Sequence, residues 1–273
     1  MKEFSFDRYL HTLGWFLQAN RSQLLHWTVG SILCIFVGQL FFLWLPLRLS
    51  SATNFYAANV NALSDFFGAV VAIVMLVAFS SIFSTIQKKQ RAISFFMLPA
   101  SNGEKYAVLL TYVSLIWPLS VFLAFALGDT LRTLAVPLLY RVGFVSGIPY
   151  MLDVLTPYAL SGANGFSLTA AAFTLVSMVW IHSVYVASGS VFRKHAFVIV
   201  TLALLAGVSV LGYLGNMLFG KFILMSVNNG VTTTHPCLWI FTLVLSVWAV
   251  YNYRLSYRLF KKLQIIHHKR TNL

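Results

Sequence analysis

Few side chains in this sequence could do acid–base, nucleophilic or metal chemistry, and their spacing does not gather them into one site. The 273 residues include only 6 Asp and Glu, 7 His and 2 Cys. Asp65, Asp129 and Asp153 stand at the ends of apolar stretches, and no phosphate-binding sequence of the form GxxxxGK[ST] occurs. Because a hydrolase or metalloenzyme needs clustered His and carboxylate groups, the sequence predicts no enzyme active site, no metal centre and no cofactor.

His182 is the histidine that lies deep inside an apolar stretch, directly before Ser183. Ionisable groups within a membrane are candidates for function. Haem ligation would need a second histidine at the same depth, but the other histidines stand at the ends of apolar stretches or in the tails. A hydrogen bond to a neighbouring helix is the favoured interpretation, and lining of a transport pathway is the alternative.

The segment between the second and third apolar stretches combines basic residues with an apolar helical face. It opens with three basic residues: Lys88, Lys89 and Arg91. Ile93, Phe96 and Met97 follow at the spacing of one helical face. Pro99 then ends the helix, because the residue before a proline disfavours the α conformation. The pattern predicts a short helix followed by a proline break.

Ser101 and Glu104 have the three-residue spacing of a capping box, so the next helix is predicted to begin there. A short helix in this position has two interpretations. It can press into a groove on a soluble partner, or it can lie on the lipid surface as an interfacial helix. The residues alone do not choose between them.

The composition identifies the environment in which these segments must fold. Apolar residues make up 59% of the chain and charged residues 9%, against about 45–50% and about 25% in ordinary soluble domains. A soluble fold has too few polar side chains here to cover its surface. This excludes a soluble enzyme, a disordered chain and a disulfide scaffold, and it predicts an all-α membrane protein that crosses the bilayer several times.

Six stretches are long and apolar enough to be spans of about 20 residues. We predict transmembrane helices near residues 27–47, 66–87, 106–128, 166–192, 196–220 and 236–253. No repeat or linker separates them, so a single membrane domain over 1–273 is predicted.

The basic residues predict the orientation of the spans. Four of the 19 Lys and Arg residues fall on one side of the predicted membrane: Arg48, Arg132, Arg141 and Lys221. The other fifteen fall on the side of the N-terminus. Since Lys and Arg concentrate in cytoplasmic loops, both termini are predicted to be cytoplasmic. This bias and contacts with anionic lipid account for the net charge of +13, so no nucleic-acid partner is needed.

Two segments outside the spans have their own patterns. Apolar residues at helical spacing in 6–17 predict an amphipathic N-terminal helix on the inner membrane face, before the chain turns into the bilayer. Segment 129–165 is long and contains Pro137, Pro149 and Pro157. We predict interfacial or re-entrant helices there, shielding the outer mouth.

The run Leu98-Pro99-Ala100-Ser101, followed by Glu104-Lys105 at the start of an apolar span, resembles the permease subunits of type-2 ABC transporters. Those subunits commonly carry a Leu-Pro-Val/Ala-Ser stretch, a few polar residues and a Lys entering the third span. The predicted topology agrees, so the resemblance extends over nearly the whole chain. One feature departs from it: the long outer segment here is 129–165, whereas many members carry their larger outer element between the fifth and sixth spans.

The resemblance implies that the first inner loop is a coupling helix that docks on a separate ATP-binding cassette ATPase subunit. Seven positions are carried over as coupling residues: Gln90, Arg91, Phe95, Leu98, Pro99, Ser101 and Glu104. In this assignment Arg91 and Glu104 bond to the partner, while Phe95 and Leu98 fill its groove. The resemblance also implies a second, facing permease protomer and an N-terminal connecting helix that runs along the membrane.

The expected function is therefore that of the permease subunit of an ATP-driven exporter in a bacterial inner membrane, with ATP hydrolysis on another chain. The alternative is a secondary transporter or channel for an uncharged or lipophilic solute that works without an ATPase. Coupling to protons or sodium would call for charges within the spans, and the centres of the predicted spans carry none.

Overall fold

The computed structural model describes residues 4–49, 53–86, 89–140, 142–155, 168–192, 195–210, 213 and 236–262. Over these residues the chain is helical and forms no β-strand. The helices are α1 (Phe6–Leu49), α2 (Thr53–Ser80), α3 (Lys89–Phe96), α4 (Asn102–Thr111), α5 (Trp117–Tyr140), α6 (Ile148–Leu155), α7 (Leu168–Val191), α8 (Ala196–Val210) and α9 (Pro236–Lys262).

Four helical stretches of the described chain are long and apolar enough to cross a membrane: Phe6–Trp44, Asn59–Ser80, Asn102–Tyr140 and Ala171–Val191. The prediction of an all-α membrane protein is confirmed at this level. The predicted fifth span is described only in part, and segment 221–235 lies outside the described residues, as do the first three residues and those after Lys262. Six spans and cytoplasmic termini therefore stay predictions.

The chain divides into two compact units, Met1–Ser161 and Gly162–Leu273. The first contains α1 to α6, and the second contains α7, α8 and α9. The single membrane domain stays a prediction.

α1 is one unbroken helix of 44 residues. The predicted N-terminal helix is present, but the predicted turn into the bilayer is absent. Residues 15–29 contain no glycine or proline that would interrupt the helix. At 1.5 Å per residue α1 extends for about 66 Å, roughly twice the thickness of the hydrocarbon core.

α4 and α5 continue one another through a π-helical turn, Tyr112–Ile116, and together run beside α1. Three side-chain contacts give the register: the hydroxyls of Tyr9 and Thr111 at 2.8 Å, the rings of Phe16 and Tyr112 at 5.1 Å, and the rings of Trp27 and Trp117 at 6.0 Å. Residue numbers rise together along both helices, so the two are parallel. Further along, Gly128 allows close approach, because a Cβ there would lie 2.9 Å from Ile35 Cγ2.

Two helices have bounds that differ from those of the predicted spans. The third span was predicted to end at Gly128, but the helix continues through Asp129 and Arg132 to Tyr140. The two charges neutralise each other within the helix, so neither ends it. The second span was predicted over 66–87, but α2 ends at Ser80 and its apolar part begins at Asn59.

The second unit packs α7 beside α9. The indole rings of Trp180 and Trp248 meet edge to face at 5.2 Å, and Asn252 Nδ2 donates to Ser183 Oγ at 3.1 Å. α8 packs back on α7, where the hydroxyls of Tyr185 and Thr201 share a hydrogen bond of 2.9 Å. The seam between α7 and α9 therefore combines aromatic and polar contacts.

Candidate functional site

The segment predicted to couple to a partner folds as the sequence indicated. α3 ends at Phe96, the chain breaks through Leu98-Pro99, and α4 begins at Asn102. Ser101 caps α4, since its Oγ accepts from Glu104 N at 3.3 Å, while Ser101 N donates to Glu104 Oε2 at 2.7 Å. The predictions of a short helix, a proline break and a capping box are confirmed.

Glu104 joins α4 to the start of α1. Its Oε1 accepts from Ser5 N at 2.7 Å and from Arg8 Nε and Nη2 at 3.2 and 3.0 Å. With Ser101 on Oε2, both carboxylate oxygens are occupied inside the chain, and the residue is 0% exposed. The resemblance implied that Glu104 bonds to a partner. The structure instead gives it an internal role, because a buried carboxylate needs these donors to stay charged.

Phe95 also lies inside the protein and does not project towards a partner. It is 1% exposed, and its ring meets that of Phe16 edge to face at 5.6 Å. The contact continues to Tyr112, on which Phe16 also packs. The expectation that Phe95 fills a groove on the partner does not fit this geometry. Phe95 instead fixes α3 to α1.

Lys105 is a third anchor, which the sequence analysis missed. Its Nζ donates to the carbonyl oxygen of Phe96 at 2.7 Å, and the residue is buried. Lysines commonly bond the last carbonyls of a helix and interact favourably with its dipole. The signal in the sequence was a lysine entering an apolar helix just after a proline break.

The exposed surface of this segment consists of other residues. Gln90, Arg91, Ile93, Ser94, Met97 and Pro99 are exposed, and Met97 is 79% exposed. Of the seven predicted coupling residues, Gln90, Arg91 and Pro99 are therefore accessible, Leu98 and Ser101 are half-buried, and Phe95 and Glu104 are buried.

A groove of about 170 Å³ runs between α1 and α3 beside this surface. Its walls include Trp15 and Asn20 from α1 and Gln90 and Ser94 from α3. Arg91 crosses between the helices, where its Nη1 donates to Gln23 Oε1 at 3.2 Å. The surface thus carries a positive charge and polar groups around an apolar floor.

His182 bonds across helices, as the favoured interpretation predicted. Its Nδ1 shares a hydrogen bond of 2.6 Å with the hydroxyl of Tyr253 on α9. Further along the seam, the hydroxyls of Ser190 and Ser256 share another. A pathway-lining role for His182 stays a prediction.

Asp129 and Arg132 form a buried ion pair that the sequence analysis placed in an outer loop. Both residues are 0% exposed, and Arg132 Nη2 lies 2.6 Å from Asp129 Oδ1. Arg132 Nη1 also donates to Tyr56 OH on α2 at 2.8 Å. The signal was the i,i+3 spacing of opposite charges, which face each other on a helix.

Within the described ranges, no three His, Cys, Asp or Glu side chains converge on a point where a metal ion could bind. No family model, curated protein or solved structure matches the chain. Inference about function therefore rests on the geometry above.

Proposed function

We propose that this chain is the permease subunit of an ATP-driven exporter of the type-2 ABC class, and that a separate ATPase subunit docks on α3. The observation that carries this proposal is the construction of the segment 89–105. A short helix with an exposed face is fixed to α1 by Phe95 and to α4 by Lys105, and Glu104 joins α1 to α4. Displacement of such a helix by a docked partner would be transmitted to α1 and α4.

The exposure of α4 and α5 supports a membrane boundary near Trp27 and Trp117. From residue 115 onwards, leucines at every fourth position are exposed along one face: Leu115, Leu119, Leu123, Leu127 and Leu131. Before it, Tyr106, Val108 and Leu109 are buried by protein. Tryptophans are enriched at membrane interfaces. In this proposal the third span is Trp117–Tyr140, not 106–128.

This boundary puts α3 outside the lipid. The residues of α1 before Trp27 then project about 30 Å beyond the hydrocarbon core at 1.5 Å per residue. The groove residues Trp15 and Asn20 lie about 10–18 Å beyond Trp27 on the same scale, whereas the interfacial layer on each side is only about 5–8 Å thick. The position favours a soluble partner over a lipid surface as the ligand of α3.

The contacts of Phe95, Lys105 and Glu104 define how a movement of α3 would reach the long helices. Movement of α3 is carried to α1 through Phe95 on Phe16, and to α4 through Lys105 on the Phe96 carbonyl. Glu104 and Arg8 hold α1 and α4 together. ATP-driven closure of the partner would therefore tilt α1 and α4–α5 as a parallel pair, as in rigid-body transport transitions. A second permease protomer would face this pair across the pathway.

Affinity purification of the tagged chain in mild detergent, followed by mass spectrometry, tests the proposal. We expect an ATP-binding protein with a phosphate loop to co-purify in stoichiometric amount. Ile93→Ser combined with Met97→Ser should abolish its retention, because Ile93 is exposed on α3 and Met97 is exposed directly after it. Leu10→Ser is the matched control, since it also replaces an exposed apolar residue, on α1, and should leave retention unchanged.

A chain that purifies alone after cross-linking would contradict the proposal. The ATPase-independent transporter or channel for an uncharged or lipophilic solute would then take its place. Full retention by the double variant would contradict the docking surface and leave the class of transporter intact.

A further inference from the structure

A segment of irregular chain and one short helix follow α5. Residues 142–147 form no helix, and α6 then packs against α2. Three hydrogen bonds attach this segment to the buried ion pair: Ser146 Oγ to Asp129 Oδ2 at 3.0 Å, Gly147 N to Asp129 Oδ2 at 2.9 Å, and Arg132 Nη2 to the carbonyl oxygen of Val145 at 2.9 Å. The polar attachment lies in three consecutive residues, and the packing of α6 against α2 adds to it.

At Gly147 this segment lies in close contact with α2. A Cβ on Gly147 would clash with Ser64 Oγ and would lie 3.0 Å from Asp129 Oδ1. Ser64 is buried beneath it and donates its hydroxyl to the carbonyl oxygen of Val60. Only a residue without a side chain permits this close approach, and the approach covers Ser64.

The ion pair also makes bonds that do not involve the segment. Arg132 Nε and Nη2 both donate to Asp129 Oδ1, and Nη1 donates to Tyr56. These groups lie on α5 and α2, so lifting of the segment would leave Arg132 and Asp129 paired. Breaking a buried ion pair is strongly unfavourable, whereas losing hydrogen bonds at its rim costs far less.

Apolar contacts hold the same segment closed. Val142 is buried in the core, and Val145 and Ile148 pack against it. Phe144, in contrast, is largely exposed, and Gly143 has no neighbour against which a Cβ would pack. The segment therefore has one attached side and one open side.

We propose that residues Val142–Leu155 form a lid over the end of the first unit at which Asp129 and Arg132 lie. Ser146 and Gly147 attach the lid to Asp129, and the lid lifts while the ion pair stays intact. In a transporter the movement opens this end of the unit to solvent. The inference does not require the ATPase and would hold for the channel alternative as well.

A thiol introduced beneath the lid reports its opening. In a background with Cys34→Ser and Cys237→Ser, Ser64→Cys gives one thiol under Gly147. The full chain in nanodiscs exposes both membrane faces to a water-soluble maleimide, so the test does not depend on orientation. We expect slow labelling with the native lid, at least about tenfold faster labelling with Gly147→Ala, and a smaller increase with Ser146→Ala.

Two control thiols separate lid opening from loss of the fold. Gly143→Cys, on the open side, should label rapidly in every background. Val108→Cys, which replaces a fully buried residue on α4, should stay protected in every background. Complete protection of the thiol at position 64 with the native lid, or in both lid variants, would overturn the proposal, because the segment would then be a fixed strap. Simultaneous labelling of the thiols at positions 64 and 108 would also overturn it, because the whole unit would then have loosened.

Discussion

Glu104 shows how much of the candidate site depends on one side chain. Its two oxygens accept from the backbone of Ser5 and Ser101 and from the guanidinium of Arg8. Hydrogen bonds to charged groups are stronger than neutral ones. A single carboxylate therefore fixes the beginnings of α1 and α4 to each other.

Glu104→Gln keeps the shape of the side chain and removes its charge. We expect the free energy of unfolding to fall by about 1.5–3 kcal/mol, the scale of a hydrogen bond to a charged group. Thermal unfolding in detergent measures the change. Asp7→Asn is the control, because Asp7 is exposed near the same end of α1 and should shift stability by less than about 0.5 kcal/mol. Equal effects of the two substitutions would contradict the internal role of Glu104.

Arg132 allows a second test at the residue scale. Arg132→Met leaves Asp129 buried without its cation, which is expected to cost about 3–5 kcal/mol. Replacing both partners, Asp129→Leu with Arg132→Met, should recover much of that loss because no uncompensated charge remains. The stabilities of the native chain, Arg132→Met, Asp129→Leu alone and the double variant form a double-mutant cycle. A single variant as stable as the native chain would mean that the pair is not buried as described.

At the scale of elements, the features that depend only on neighbouring residues were predicted correctly from the sequence. The capping box of Ser101 and Glu104 and the break at Pro99 depend only on neighbouring residues, so spacing was enough to find them. The burial of Phe95 was not predictable in this way, because it depends on Phe16, almost eighty positions away. Helical spacing predicted that Ile93, Phe96 and Met97 share one apolar face. In the structure Ile93 and Met97 are exposed, and the side chain that tertiary packing buries is Phe95.

Two long helices continue past residues at which hydropathy placed an end. Asp129 and Arg132 were read as the end of a span because each charge was counted alone, whereas together they form a pair within α5. The polar first third of α1 was read as a separate helix because amphipathicity does not report continuity. Both features are local in the chain: the two charges stand three residues apart on one helix, and residues 15–29 contain no glycine or proline.

Cysteine labelling along α1 tests the proposed boundary near Trp27. Single thiols at three exposed positions, Gln18, Leu25 and Leu33, are compared in inside-out vesicles with a water-soluble maleimide. We expect Gln18→Cys and Leu25→Cys to label and Leu33→Cys to stay unlabelled, because lipid covers a residue six positions beyond Trp27. Cys34 should likewise be unreactive in these vesicles, although it is exposed on the protein. Protection of Gln18→Cys would indicate that the start of α1 lies in the membrane.

At the scale of the whole molecule, a high apolar content occurs together with a strong positive charge. The chain is 59% apolar yet carries a net charge of +13. In the proposal the basic residues of α3 and of the first part of α1 lie outside the lipid on the cytoplasmic side. There they attract acidic groups. The buried pair of Asp129 and Arg132 is neutral as a unit, which makes its position within a span tolerable.

The most direct test of the central claim is the native mass of the complex that the tagged chain forms after mild detergent extraction, measured by native mass spectrometry. The account predicts an assembly with two permease protomers and two ATP-binding subunits, which loses the ATP-binding subunits when Ile93 and Met97 are replaced by serine. A mass equal to the 30.6 kDa chain or to its simple multiples, in the native protein, would contradict the claim that an ATPase drives it.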